Sequence, residues 1–173
     1  MNRQAVQTLK TYFGYDTFRE GQESVVESIL EHRDVLAIMP TGAGKSICYQ
    51  VPALMLSGIT IVISPLISLM QDQVKALNEA GIHAAFINSS LSESQISNAL
   101  YLAAGGRYKI IYVAPVRLEN YEFLEFARQV EISMVTVDEA HCISQWGQDF
   151  RPSYVKFVDF VKNLPGRPVV SAF

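Results

Sequence analysis

Short apolar segments that alternate with helical segments constrain the fold of this chain more than any other feature of its sequence. Within each apolar segment the hydrophobicity is nearly continuous, which is typical of β-strands that are covered on both faces. These segments are residues 35–39, 59–64, 83–87, 110–113, 132–137 and 168–172. The alternation predicts a doubly wound, mostly parallel α/β sheet with helices on both faces.

Apolar residues at helical spacing fill the intervals between these strands. Gly81 is expected to end one helix, and Ser92 is a suitable N-cap for the next. The predicted helices cover residues 6–13, 25–30, 45–56, 67–80, 93–103, 123–129 and 154–164. No repeat, low-complexity segment or linker divides the sequence, so we expect one domain.

The composition also points to a single globular domain. The chain has 173 residues, of which 49% are hydrophobic and 18% are charged, and this excludes a disordered chain. No apolar run is long enough to span a bilayer. Two cysteines, Cys48 and Cys142, have no partner at metal-ligand spacing, which favours apolar packing roles in a reduced, cytoplasmic protein. The net charge of −3 argues mildly against a basic surface for duplex DNA but leaves room for a locally basic cleft.

A glycine-rich loop, Pro-Thr-Gly-Ala-Gly-Lys-Ser at residues 40–46, follows a predicted strand and begins a predicted helix. This is the context that a phosphate-binding loop requires. Gly42 and Gly44 allow a tight turn whose backbone N–H groups point inward, and the helix N-terminus adds partial positive charge. The strict pattern has glycine where this chain has Met39. The alternative is an ordinary glycine-rich turn between a strand and a helix.

We expect this loop to bind the phosphates of a nucleotide. Lys45 can reach the terminal phosphates, and the hydroxyl of Ser46 can ligate Mg²⁺. The predicted contacts of the loop are Thr41, Gly42, Ala43, Gly44, Lys45 and Ser46.

Two adjacent carboxylates, Asp138 and Glu139, follow the apolar segment 132–137. A charged pair at the end of a buried strand is costly unless a cation lies beside it. Asp138 is the expected second Mg²⁺ ligand, directly or through water, and Glu139 is placed to orient and deprotonate an attacking water. The alternative is an N-cap with a further charge in the first turn of a helix.

The only tryptophan, Trp146, follows soon after this pair, in a polar segment that also contains Phe150 and Arg151. Aromatic and guanidinium groups together suit a stacked nucleic-acid base. A metal site and a base-stacking loop on one short segment predict that hydrolysis and strand binding are coupled. The alternative is a partly buried aromatic loop.

Five segments resemble motifs of the RecQ-type DNA helicases of superfamily 2, and the resemblance covers nearly the whole chain. Residues 13–22 resemble the adenine-reading motif, 39–50 motif I, 64–73 motif Ia, 138–141 motif II, and 142–152 the aromatic-rich loop of that family. The resemblance implies a RecA-like P-loop NTPase lobe of an ATP-driven motor. Such a motor moves 3′ to 5′ on single-stranded DNA and unwinds duplexes in repair and recombination.

The resemblance assigns an adenine site to residues 15–22. Tyr15 would stack on the base, Gln22 would read the edge of the base with a bidentate amide, and Arg19 would support the site. An aromatic ring and an amide suit a flat base that carries both a donor and an acceptor. The alternative is a turn between helices in which Tyr15 is ordinary packing.

The resemblance also assigns contacts with DNA. Ser64 and Arg117 would face the DNA backbone, and their alternatives are a helix cap and a solvated surface charge. Trp146, Phe150 and Arg151 would sense DNA and report its presence to the ATP site.

Three further features follow from the same comparison of motifs. His141 would couple two motor lobes, or else make a satisfied polar contact beneath the phosphate loop. Gln148 stands where the family usually has histidine, which bears on coupling to DNA, and Val116 stands where it usually has glutamate, which bears on a supporting contact. Because the sequence reaches Phe173 before motif III, we expect residues 1–173 to be the first motor lobe of a longer protein. Its partners would then be DNA and a second lobe that carries an arginine finger.

Two other functions are open on the sequence. Another superfamily 2 motor, such as an RNA helicase, would share most of these motifs, and the loop around Trp146 argues against it. A nucleotide-binding switch would bind ATP without unwinding anything, and Glu139 disfavours it because binding alone needs no general base. Stimulation of ATP hydrolysis by single-stranded DNA, by RNA or by neither would separate the three.

Overall fold

The structure, a computed structural model, describes residues 2–39, 44–140 and 150–173, with the side chains of residues 150–155 outside the described part. Its described strands are β1 Val35–Leu36, β2 Ile59–Ile63, β3 Ala84–Ile87, β4 Ile110–Val113, β5 Ile132–Val137 and β6 Val169–Ala172. They form one sheet in the order β1-β6-β5-β2-β4-β3, and every pair is parallel. The predicted parallel α/β sheet is therefore confirmed.

Two helices precede β1, and the others connect successive strands. Their bounds are α1 Arg3–Phe13, α2 Gln22–Leu30, α3 Lys45–Met55, α4 Ile67–Glu79, α5 Glu93–Ala104, α6 Tyr121–Gln129 and α7 Phe150–Lys162. The predicted N-cap of α5 is confirmed, because the Ser92 hydroxyl accepts from Gln95 N and the Gln95 side chain accepts from Ser92 N, a reciprocal capping box. Among the described residues no helix is long and apolar enough to cross a membrane.

The core forms two apolar layers, one on each face of the sheet. Along β2, Val62 packs in the layer with α3 and α4, whereas Ile61 and Ile63 pack in the layer with α5, α6 and α7. Every residue of β2 is buried, since successive side chains of a strand point to opposite faces and both faces are covered. Full burial of each isoleucine or valine side chain of β2 stabilises the fold by roughly 1.5–3 kcal/mol relative to exposure.

A third apolar cluster attaches α1 and α2 to α3. Leu9 of α1 and Val26 of α2 pack against Ile47 and Val51 of α3. This packing places the connection between α1 and α2, which carries the predicted adenine motif, beside the first turn of α3.

The structure differs from the sequence prediction at the edge of the sheet. The apolar segment 35–39 forms only the two-residue strand β1, and Leu36 and Ile38 are 72% and 94% exposed. Since β1 is the last strand in the order, it pairs with β6 on one side alone. The sequence also missed a 3₁₀ helix at Pro115–Glu119, and α7 begins four residues before its predicted start at residue 154.

Candidate functional site

The strand order brings the predicted phosphate loop and the acid pair to one edge of the sheet. Strands β1 and β5 lie on either side of β6, and all three are parallel, so their carboxyl ends share an edge. The chain leaves β1 towards α3, whose first residue is Lys45, and it leaves β5 into Asp138 and Glu139. This edge is where parallel α/β sheets bind their ligands.

Lys45 contacts both carboxylates. Its Nζ lies 2.5 Å from Oε1 of Glu139 and 3.6 Å from Oδ1 of Asp138, although these residues are 94 and 93 positions apart in the chain. Asp138 is only 4% exposed. The sequence predicted that a cation must lie beside this acid pair, and in the described part of the chain Lys45 provides it.

The pKa values of Asp138 and Lys45 are both raised. Burial raises the pKa of Asp138, and the Glu139 charge raises it further, while the Lys45 charge lowers it without restoring the usual range. Burial alone would lower the pKa of Lys45, but its hydrogen bond to Glu139 and the charges of Asp138 and Glu139 together raise it. The charged form of Asp138 is therefore disfavoured by burial and by the neighbouring Glu139, and a divalent cation would favour it.

The turn after β5 holds Glu139 in an uncommon backbone conformation. Its φ is +58°, in the left-handed region, and its backbone N donates to Oδ1 of Asp138 at 3.0 Å. A residue other than glycine in this region stores on the order of 1–3 kcal/mol of strain. The reversal ends the strand and brings the Glu139 carboxylate to Lys45.

The N-terminus of α3 faces the same edge of the sheet. Ser46 is half-buried in its first turn and follows Lys45, whose ammonium group contacts the acid pair, so the partial positive charge of the helix end lies at this edge. The chemistry of this donor set, one hydroxyl and buried carboxylate oxygens, fits Mg²⁺. The predicted contacts Thr41, Gly42 and Ala43 lie outside the described residues.

The predicted adenine motif and the phosphate helix are joined by the side chain of Gln22. Its Oε1 accepts from the backbone N of Arg19 at 2.7 Å, and its Nε2 donates to the carbonyl of Gly44 at 2.9 Å. Gln22 is 3% exposed, whereas the ring of Tyr15 is half exposed. The structure thus brings Gln22 and Arg19 to the phosphate loop and leaves Tyr15 accessible.

Gly44 is restricted to glycine by this arrangement. It has a φ of +73° and is the N-cap of α3. A Cβ at this position would lie 2.5 Å from Nε2 of Gln22, closer than real Cβ contacts allow. The close approach explains why glycine is needed here, beyond the turn that the sequence predicted.

The predicted DNA-contacting residues Ser64 and Arg117 lie at the same edge of the sheet, after β2 and β4. Ser64 is buried, and its hydroxyl oxygen accepts from Leu66 N at 3.4 Å, a weak local contact. Arg117 is half-buried in the 3₁₀ helix, and its Nε has no hydrogen-bond partner within the described residues. Neighbouring Val116 is 65% exposed.

Several predicted residues fall outside the described part of the chain. His141, Cys142, Trp146 and Gln148 belong to the segment 141–149, and the side chains of Phe150 and Arg151 are also outside it. Only the backbone of Phe150 and Arg151 is placed, at the start of α7. The reading of Cys48 as a packing residue is confirmed, because it is fully buried and burial raises the pKa of its thiol to about 12.

The sequence analysis gave no role to the polar side chains of Gln50, Gln73 and Tyr112, which meet in the core behind this site. A glutamine in the apolar stretch of α3, where the neighbouring side chains are core residues, was the available signal.

The all-parallel sheet and the cluster of Lys45, Asp138 and Glu139 at its carboxyl edge are typical of a RecA-like nucleotide-binding lobe. The model of the DEAD/DEAH box helicase family matches residues 19–172. The chain therefore belongs to the DEAD/DEAH box helicase family.

Curated relatives confirm the resemblance to RecQ-type helicases. The chain is 51% identical over 173 residues to the ATP-dependent DNA helicase RecQ of Bacillus subtilis, covering 99% of the chain and 29% of that protein. It is 44% identical to the RecQ helicase of Haemophilus influenzae, covering 96% of the chain and 27% of that protein. It is 38% identical to the RecQ-like DNA helicase blm-1 of Caenorhabditis elegans, covering 98% of the chain and 18% of that protein. The chain thus spans less than a third of the length of these relatives.

Solved structures of low sequence identity share the fold. A hypothetical ATP-dependent RNA helicase from Sulfolobus tokodaii matches with a TM-score of 0.77 at 19% identity, covering 100% of this chain and 50% of that one. The DUF1998 helicase MrfA, bound to DNA and AMPPNP, matches with a TM-score of 0.73 at 17% identity, covering 99% of this chain and 26% of that one. At these identities the likeness extends to the fold alone.

Proposed function

We propose that residues 1–173 are the first, ATP-binding motor lobe of an ATP-dependent DNA helicase of RecQ type. The observation that carries this proposal is the cluster of Lys45, Asp138 and Glu139 at the carboxyl edge of the sheet, next to the N-terminus of α3. The similarity of the whole chain to RecQ helicases supports DNA as the nucleic acid.

In the proposed reaction ATP is hydrolysed at this edge. Lys45 binds the terminal phosphates, while Ser46 and Asp138 hold Mg²⁺, which supplies positive charge at the phosphates. Glu139 accepts a proton from water as the water oxygen attacks the γ-phosphorus. The bond from that phosphorus to the bridging oxygen breaks, which gives ADP and phosphate.

Binding of nucleotide also changes the state of the base. In the structure Lys45 is paired with Glu139, so a cation lies at the carboxylate that must accept a proton. A triphosphate offers Lys45 a stronger, multiply charged partner. Transfer of Lys45 to the phosphates would remove this ion pair from Glu139 and strengthen it as a base for the attacking water.

The adenine site has its reading residue already oriented. Tyr15 stacks on the base, and Gln22 reads its edge with Arg19 in support. The bonds of the Gln22 amide to Arg19 N and to the Gly44 carbonyl fix the orientation of this side chain beside the phosphate helix.

DNA runs along the same edge of the lobe. Ser64 and Arg117 face its backbone, and Trp146, Phe150 and Arg151 sense it, while His141 couples this lobe to a second one. The second lobe provides an arginine finger, and the complete motor moves 3′ to 5′ on single-stranded DNA in repair and recombination. We place this activity in the cytoplasm, on the nucleoid if the host is bacterial.

Two experiments test the proposal. In a protein that contains both lobes, ATP hydrolysis should be stimulated by single-stranded DNA and not by RNA; stimulation by RNA alone would make the protein an RNA motor, and by neither a nucleotide switch. The isolated chain should bind Mg-ATP only weakly and should bind single-stranded DNA poorly. It should show no unwinding and almost no hydrolysis, because an arginine finger supplied by a second lobe accounts for about 10³–10⁵ in rate. DNA-stimulated turnover of the isolated chain near that of the two-lobed protein, abolished by Glu139→Gln, would show instead that the lobe is self-sufficient.

A further inference from the structure

Three buried polar side chains, Tyr49, Gln50 and Tyr112, and half-buried Gln73 form a hydrogen-bonded cluster that joins α3, β4 and α4, and we call it the Gln50 cluster. Nε2 of Gln50, on α3, donates to the hydroxyl of Tyr112 on β4 and to Oε1 of Gln73 on α4, both at 3.0 Å. The hydroxyls of Tyr112 and Tyr49 are hydrogen-bonded to each other at 2.8 Å. Tyr49 and Tyr112 are fully buried, and Gln50 is 3% exposed.

The Gln50 cluster lies inside the apolar layer of one face of the sheet. Its tyrosines pack with Val62, Met70 and Met134. A buried polar group that loses its partner costs about 1–3 kcal/mol, whereas apolar side chains of the same shape would make no such demand. Packing alone therefore does not require polar residues at these positions, and their hydrogen bonds fix one arrangement of the three elements.

The amide of Gln50 links α3 to α4 directly. Its two N–H donors go to different elements, one to Tyr112 and one to Gln73, so the side chain cannot turn without breaking a bond. A displacement of α3 along or about its axis therefore acts on Gln73. Tyr112, held in the centre of the sheet, keeps the amide of Gln50 in place.

Helix α3 belongs to the proposed nucleotide site, and helix α4 lies next to the proposed DNA contacts. Helix α3 begins with Lys45, five residues before Gln50. The first half of α4, residues 67–73, belongs to the segment 64–73 that resembles motif Ia, and Ser64 of that segment is the proposed DNA contact. The Gln50 cluster is also within electrostatic reach of the acid pair. Burial raises the pKa of both tyrosines, and the charge of Asp138 adds to this effect.

We propose that Gln50 and Gln73 are positioning residues that transmit the nucleotide state of α3 to α4, with Tyr112 as the fixed point between them. When phosphates take Lys45 from Glu139, the first turn of α3 adjusts, the Gln50 amide moves with it, and Gln73 carries the change into α4. This inference rests on the proposed function, because it takes α3 as part of the nucleotide site and α4 as the neighbouring helix on the DNA-facing side.

Hydrogen–deuterium exchange on the 173-residue chain tests the relay, with and without saturating Mg²⁺ and a non-hydrolysable ATP analogue. Nucleotide should slow exchange in α3 and also in α4. In Gln73→Leu the slowing should persist in α3, and in α4 it should fall about fivefold, the factor that corresponds to one hydrogen bond of about 1 kcal/mol. Tyr112→Phe, which removes only the hydroxyl, should have the same effect.

Gln71→Leu is the matched control. Gln71 lies on the same helix but donates to the Ser90 hydroxyl at 3.0 Å, not to the Gln50 cluster, so this variant should keep the nucleotide effect in α4. The measured quantity is the difference between bound and free exchange within each variant. A general loss of stability raises both rates and does not mimic the loss of transmission.

The outcomes separate the relay from the nucleotide site. Slowing in α3 with none in α4 of the unmodified chain, or an unchanged α4 effect in Gln73→Leu, overturns the relay and leaves the nucleotide site standing. If nucleotide does not slow exchange in α3, both the relay and the nucleotide site are overturned. Loss of the α4 effect in Gln71→Leu as well would assign transmission to α4 packing in general and would also overturn the relay.

Discussion

Replacing Lys45 with alanine should weaken Mg-ATP binding by the chain tenfold to a hundredfold. The lysine side chain is the cation nearest the acid pair among the described residues, at 2.5 Å from Glu139 and 3.6 Å from Asp138. A charge-assisted hydrogen bond of the kind that it would give a phosphate contributes about 1.5–3 kcal/mol, which corresponds to this range of affinity.

Two secondary effects act on the magnitude in opposite directions. In the unmodified chain the phosphates must displace Glu139 from Lys45, which reduces the net gain from the lysine contact. In Lys45→Ala the carboxylates of Asp138 and Glu139 lose their cation and repel the phosphates more strongly. The first effect makes the loss smaller and the second makes it larger, so the range stands.

The assay is titration calorimetry of the chain with Mg²⁺ and a non-hydrolysable ATP analogue. Lys75→Ala is the matched control, because it removes an exposed lysine from α4. Equal affinities for the unmodified chain, Lys45→Ala and Lys75→Ala would refute the phosphate site.

Thermal melts supply a second readout. Because the pKa of Lys45 is raised above its ordinary 10.5, its contribution to stability is present below that pH and is lost as the pH rises through the raised value. The difference in melting temperature between the unmodified chain and Lys45→Ala should therefore shrink as the pH rises through the raised pKa.

Three further predictions follow from the site. In a two-lobed protein Glu139→Gln should bind ATP near normally while turnover falls by about 10²-fold or more, and unchanged turnover would reject Glu139 as the base. Emission of Trp146 in that protein should shift or quench on adding single-stranded DNA, less so at higher salt because backbone contacts release counterions, whereas a blue, unresponsive spectrum would indicate a packing role. Asp138→Asn should raise the melting temperature of the nucleotide-free chain at neutral pH. The pKa of this carboxyl is raised, so its charge destabilises the fold as the pH rises through that pKa, and the gain should vanish below the ordinary 3.8. A lower melting temperature at neutral pH would show that the ion pair with Lys45 outweighs burial.

Continuous apolar segments made the central strands predictable. Strands β2 and β5 fall within one residue of their predicted bounds, because they are covered on both faces and nothing outside the segment changes that. Strand β1 was predicted too long, since its position at the edge of the sheet depends on the strand order, which no local pattern contains.

The candidate site likewise has a part that the sequence indicated and a part that it did not. The sequence indicated that a cation lies beside Asp138 and Glu139, because buried carboxylates require one, but it assigned Lys45 to the phosphates and did not predict its direct contact with this pair. The bond from Gln22 to the Gly44 carbonyl joins residues 22 positions apart and depends on how α1 and α2 pack on α3. Such a contact is a result of tertiary packing, and neither periodicity nor motif spacing indicates it.

Two features of the candidate site disfavour stability, and this is informative about its function. Glu139 has a left-handed backbone conformation, and buried Asp138 lies beside this second carboxylate, whose charge raises its pKa further. Selection for stability alone would replace such groups with apolar side chains. A triphosphate that takes Lys45 and a divalent cation that binds Asp138 would satisfy both carboxylates at once. The same features would therefore make binding of nucleotide and metal mutually dependent: Mg²⁺ alone should bind the chain far more weakly than Mg²⁺ with nucleotide. Titration of Mg²⁺ with and without the nucleotide would detect this difference, and equal affinities would contradict it.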